Sequence, residues 1–178
     1  VNIKDMADIQ NDITSPFAQE YLKVFTKTYR KNSSTEGDRV HALLKDWDGK
    51  ETMESQAALA FHLLYLATVE NLFEDELRLL GKGSMKTLLS LKYIKSLAVR
   101  KAFEEKSSLW IDNVDTPKQE TLEDIVNQSF KQAGEKLATF KNKTWGSVHT
   151  LTVEHRLDKD PLVKKWINFS VGPFPMAG

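Results

Sequence analysis

The four histidines, His41, His62, His149 and His155, are the side chains in this sequence best suited to bind a metal or move a proton near neutral pH. Their spacing does not gather them. No His-Glu-x-x-His or His-x-x-x-His pair falls on a helical stretch, and His149 and His155 lie six residues apart in a strand-and-loop segment, so no metal site is expected. His62 sits inside the most apolar helix, where a neutral imidazole satisfied by one neighbour is the expected state. Work as a general base would need a nucleophile beside it, and the sequence names none. The absence of cysteine excludes disulfides, thiolate metal sites and cysteine nucleophiles. Gly81-Lys82-Gly83-Ser84 lacks the strand and glycine spacing of a phosphate loop and reads as a helix end followed by a cap at Ser84. Asp46, Asp48 and Glu51 flank Trp47 and Gly49 without the twelve-residue oxygen pattern of a calcium loop, so a polar turn is expected there. Seven basic residues lie between Lys82 and Lys106 against Glu104 and Glu105, but no aromatic platforms are interleaved, and the stretch reads as a solvated helix face.

The elements that would position these residues are mostly helical. Met6, Ile9, Ile13, Phe17, Tyr21, Val24 and Phe25 recur at helical spacing, broken at Ser15-Pro16, which predicts helices over 2–12 and 16–30. Ser33-Ser34-Thr35-Glu36 is a capping-box pattern opening a helix through Val40, Leu43, Leu44 and Trp47 that Gly49 should close. The longest helix is expected from Glu54 to Leu80, ended by Gly81. Its first half, Ala57 to Ala67, is apolar nearly all round and belongs in the middle of a bundle, while Glu70, Glu74, Asp75 and Glu76 should face water. One or two helices follow over 84–106. Thr116-Pro117-Lys118-Gln119 reads as a helix start, with the helix running to about Phe140. After Lys143 the pattern changes to β-branched alternation at His149–Val153 and Trp166–Val171. The fold class is therefore mainly α: an irregular helical bundle over 1–143, then a short extended or β segment over 144–178. Trp47, Phe61, Leu64 and Tyr65 are the expected core.

The whole chain sets the outer bounds. Its 178 residues suit one domain or one domain with a tail, and at 40% hydrophobic a sizeable core can be buried. Basic and acidic residues balance at 25 each, so no net field draws the chain to nucleic acid or to an anionic membrane, and neither is an expected partner. The longest apolar stretch is too short to span a bilayer, and no signal peptide is visible. The start on Val1 without Met, and the finish on Gly-Pro-Phe-Pro-Met-Ala-Gly, read as cut ends of something larger.

Four segments, in order, resemble the β-chain of the penicillin acylases, which are N-terminal-nucleophile hydrolases. They are Met6–Ala18; Leu43-Leu44-Lys45-Asp46-Trp47-Asp48-Gly49 with Glu54-Ser55-Gln56-Ala57-Ala58; Thr144-Trp145-Gly146-Ser147-Val148-His149 with Glu154-His155-Arg156-Leu157; and Gly172–Gly178. Arg156 stands where the family usually has proline, and Ala177 where glycine is common. The resemblance implies a helical part of a larger αββα enzyme that hydrolyses a linear amide: the acyl side chain of a β-lactam, an acyl-homoserine lactone or a related N-acyl compound. It implies a precursor cut autocatalytically to expose a serine, whose own α-amino group is the base. An asparagine and backbone N–H groups would hold the oxyanion. Those positions, and the calcium ligands common in the family, are expected upstream of this chain. Accordingly no residue here is assigned a catalytic, cofactor-binding or metal-binding role. The expected partners are the remainder of the parent acylase and, in the parent, an acyl-amide substrate. Self-association through exposed cut edges is a further expectation. Periplasmic or secreted location and a place in antibiotic metabolism come from the resemblance only. The competing reading is a free-standing helical protein-interaction module.

Overall fold

The computed structural model describes residues 2–105, 109–154 and 170–178. In these residues seven helices precede a small antiparallel strand pair: α1 (Ile3–Gln10), α2 (Pro16–Thr28), α3 (Thr35–Leu44), α4 (Gln56–Leu79), α5 (Ser84–Ser90), α6 (Lys92–Glu105), α7 (Leu122–Thr139), a 3-10 turn at Trp145–Ser147, then β1 (Thr150–Val153) and β2 (Val171–Pro175). The mainly α reading holds. Helix α4 is the axis because its sequence is apolar on nearly every side. It buries Leu59, Phe61, Leu64, Tyr65, Leu72 and Phe73 among others, and α7, α3, α2 and α6 pack around it.

Aromatic rings bind the layers together. Phe25 of α2 lies 6.3 Å from Phe61 of α4, 5.6 Å from Phe103 of α6 and 6.4 Å from Phe130 of α7, all edge-on. Two polar ties cross the same core. Asn71 of α4 donates to Ser129 Oγ at 2.9 Å and Gln132 Oε1 at 2.8 Å on α7, and the Tyr21 hydroxyl donates to the Ser96 carbonyl at 3.0 Å. Helix α7 reaches α3 because Gly134 faces it: a Cβ at that position would run into the backbone carbonyl of Glu36.

Local chemistry explains where the boundaries depart from expectation. Helix α3 stops at Leu44 rather than Trp47, because Asp48 Oδ1 accepts the Lys50 N–H and the Trp47 indole donates to the Lys50 carbonyl, folding 46–50 into a turn. Trp47 is consequently half-buried at the core edge, whereas Phe61, Leu64 and Tyr65 are buried as expected. The last long helix begins at Leu122, not at Thr116. Thr121 and Asp124 form their own capping box, and the Thr116 hydroxyl instead closes a turn on Asn113, Lys118 and Glu120. Gly83, not Ser84, caps α5. Glu76, expected in water, has both carboxylate oxygens shut away from it. The expected strand over 166–171 falls mostly outside the described residues; the strand that is described, Val171–Pro175, pairs Leu151 with Phe174 and Thr150 with Pro175. Leu151, Val153, Val171 and Phe174 remain about half exposed on this hairpin.

Two substitutions test the packing. Leu64 is 0% exposed, and Leu64→Ala should lower stability by about 2–5 kcal/mol. Gly134→Ala should lower it by about 1–3 kcal/mol, because the obstacle is backbone rather than a movable side chain. Urea denaturation followed by circular dichroism measures both; a Gly134→Ala midpoint equal to the parent's would show that α3 and α7 can separate freely.

Candidate functional site

The Ile13–Ser15 segment, the loop before α4 and Gly178 meet at Glu51. Backbone geometry brings them there. Thr14 and Lys50 form an isolated antiparallel bridge, flanked by Ser15 N–H donating to the Gly49 carbonyl and Glu51 N–H donating to the Ile13 carbonyl, each at 2.9 Å. The Glu51 carbonyl in turn accepts the Gly178 N–H at 2.9 Å, and the His149 carbonyl accepts the Met176 N–H at 2.9 Å. The 3-10 turn docks on the same loop: Trp145 N–H donates to Ser55 at 2.9 Å and Gly146 N–H to Met53 at 2.8 Å. Gly146 permits that approach, since a Cβ there would press on the Met53 backbone.

The side chains at this clasp form one chemical unit. Glu51 is buried, 5% exposed, and its Oε1 lies 3.0 Å from His62 Nε2 on the first turns of α4. The His62 ring stacks on Trp145 at 4.1 Å between centroids and 13° between planes. On Trp145's other neighbour, His149, the distance is 4.6 Å and the angle 24°. Burial alone would raise the Glu51 carboxyl, but the hydrogen bond and charge of His62 and the Ser15 hydroxyl, with His149 beyond, carry it below the usual carboxylate range. Trp145 Nε1 and His149 Nδ1 are enclosed without a hydrogen-bond partner among the described residues. The unit can hold a charge and a proton inside the fold. A carboxylate that orients an imidazole also supplies two of the three members of a hydrolytic triad, but among the described residues no hydroxyl or amine is hydrogen-bonded to either imidazole.

A second buried carboxyl lies at the other end of α4. Burial, then Asp75 and Asp112, push Glu76 up to about 7. Asp112 Oδ1 is enclosed without a hydrogen-bond partner among the described residues, and Asp75 Oδ2 accepts the Val114 N–H at 2.8 Å, joining α4 to the loop after α6.

The structure brings together two of the four histidines singled out by sequence. Among the described residues His62 meets one hydrogen-bonding partner, Glu51, as expected. His41 is elsewhere, stacked on Tyr29 at 5.2 Å, and His155 lies outside the described residues. Glu51 and Trp145 were not read as a pair with His62: their partners are distant in sequence, and the local pattern at Glu51 shows only a polar turn. Asp46 and Asp48 contact Lys45 and Lys50 in that turn. Among the described residues no group of three or more His, Asp or Glu is arranged to hold a metal ion.

The chain matches the family described as Penicillin amidase over residues 1–178. No curated protein matches it. The four segments that carry the resemblance reach the clasp through Ile13 and Ser15, Gly49 and Ser55, Trp145 to His149, and Met176 to Gly178.

The two carboxyls should impose opposite pH dependences. Glu51 is lowered on folding, so its contribution is fully present above its ordinary value and lost as pH falls through the depressed one. Glu76 is raised, so stability falls as pH climbs from the ordinary carboxylate range to about 7. Urea midpoints measured across pH should therefore form a dome. Glu51→Gln should flatten its acid side at a cost of about 1–3 kcal/mol. Glu76→Gln should flatten the neutral side and stabilise the protein at alkaline pH; no gain there would remove Glu76 from the explanation.

Proposed function

The chain belongs to the penicillin amidase family, and we propose from that premise that it is the helical, non-catalytic portion of a penicillin-acylase-like amidohydrolase. The observation that supports this reading is the convergence of the family-like segments on a clasp held by backbone hydrogen bonds and the Glu51–His62 pair, with no hydroxyl or amine hydrogen-bonded to either imidazole among the described residues. Such a site fixes the path of the chain at one side of the bundle. It buttresses what lies beyond, and the hairpin that leaves it would lead back into the catalytic core.

In the parent, a serine at the processed chain terminus would attack the acyl carbonyl, its proton passing to its own α-amino group. The tetrahedral intermediate would collapse with expulsion of the amine, and water would then release the acid. Asparagine and backbone N–H groups would stabilise the oxyanion, and any calcium would be held upstream. The substrate class is a linear N-acyl compound: a β-lactam with its acyl side chain, an acyl-homoserine lactone or a relative. Periplasmic or secreted location accords with that chemistry. Among the described residues no helix is long and apolar enough to cross a membrane.

The test compares two proteins. The purified 178-residue chain should leave a chromogenic phenylacetyl or fatty-acyl amide unhydrolysed, and the full-length precursor should process itself and turn it over. Hydrolysis by the short chain above a buffer blank would overturn the non-catalytic reading.

A further inference from the structure

The zero net charge conceals a division. Residues 78–101 hold seven of the 25 basic residues and none of the 25 acidic ones, so the remainder carries 18 basic against 25 acidic. This stretch forms the corner made by the end of α4, α5 and α6. Three of its cations are neutralised or covered: Arg78 pairs with Asp115, Arg100 pairs with Glu20, and Lys95 lies over the Tyr65 ring. Lys82, Lys86 and Lys101 are exposed and have no ion pair among the described residues.

Apolar side chains stand beside these lysines. Leu79 and Leu80, on the last turn of α4, are 73% and 76% exposed, and Ile94 and Leu97 of α6 are 56% and 57% exposed. On α6, Ile94, Leu97 and Lys101 follow at three and four residues, which places them on one face, away from the buried Val99, Ala102 and Phe103. Between α4 and α5 the chain turns on Gly81 and Gly83, with φ of +115° and +101°. A Cβ at either glycine would meet nothing within 4 Å, so this tip stands clear of the molecule.

We propose that the α4–α5–α6 corner is an attachment surface for an anionic lipid bilayer. The lysines would meet head-group phosphates while Leu79, Leu80, Ile94 and Leu97 enter the boundary with the acyl chains. The acidic remainder would then face away from the negative surface. A bilayer fits better than a nucleic acid, because phosphate contacts leave four exposed aliphatic side chains without a role. It fits better than an acidic protein because the leucines ride on a protruding turn, whereas a protein anchor is seated in a pocket. The net charge that argued against a membrane averages over this division. The inference stands apart from the acylase reading.

Cosedimentation of the 178-residue chain with vesicles decides it. Binding is expected to a phosphatidylcholine–phosphatidylglycerol mixture, falling with added salt, and not to phosphatidylcholine alone. The triple variant Lys82→Glu, Lys86→Glu, Lys101→Glu should bind about a hundredfold more weakly. Leu79→Ser with Leu80→Ser should also weaken binding. All five positions are exposed, and circular dichroism would confirm that both variants keep the parent's helix. No binding to the anionic vesicles, equal binding to the neutral ones, or undiminished binding by either variant would overturn the proposal. So would an oligonucleotide bound as tightly by the parent and by the leucine variant.

Discussion

The structure depends on a carboxylate that has been taken out of water. Burying the Glu51 side chain is unfavourable unless its charge is met, and His62 meets it at 3.0 Å from the opening turns of α4. The same residue uses its backbone N–H and carbonyl to hold Ile13 and Gly178. One residue therefore joins the N-terminal segment, the loop before the central helix and the C-terminal strand. Trp145 completes the unit by covering the imidazole, and its backbone ties the stack to Ser55. Loss of His62 leaves the buried Glu51 charge unpaired, so the two should form or fail together.

Helix α4 thus carries unequal ends. At its start a buried acid is matched by a base and by hydrogen bonds. At its far end Glu76 is buried beside Asp75 and Asp112, where further negative charge makes ionisation harder still. The sequence offers no warning of this contrast, since Glu70, Glu74, Asp75 and Glu76 look like one solvated face. What separates Glu76 from the others is the loop after α6, which packs Ile111 into the core and brings Asp112 with it.

Helix existence was legible because it rests on period and caps, which are local. Ser15 acts as cap chemistry demands, accepting a backbone N–H from three residues on; in α3 the cap is Ser34 rather than the Ser33 of the Ser33–Glu36 pattern, and Ser55 caps α4 just after the expected start at Glu54. The failures were also local competitions. The expected start at Thr116 gives way to Thr121, where Asp124 returns the hydrogen bond, while Pro117 and Lys118 lie in a turn that Glu120 stabilises. The clasp was illegible from pattern alone, because its contacts join residues far apart in the chain, and no periodicity encodes a histidine stacked on a tryptophan 83 positions away. The family-like segments marked these places without revealing that they touch.

That convergence has a physical reason. The bundle asks only for apolar residues of suitable volume at helical spacing, a demand that many sequences meet. The clasp asks for particular side chains. Gly146 is needed because a methyl group would strike Met53, Gly49 because the chain turns there with φ of +85°, and Trp145 because its flat ring stacks on two imidazoles. Residues with so few substitutes are the ones by which a relationship can be recognised in a single sequence. It follows that a recognisable motif here reports on how the chain is pinned, and a catalytic role would have to be argued from a nucleophile and an oxyanion site in their own right.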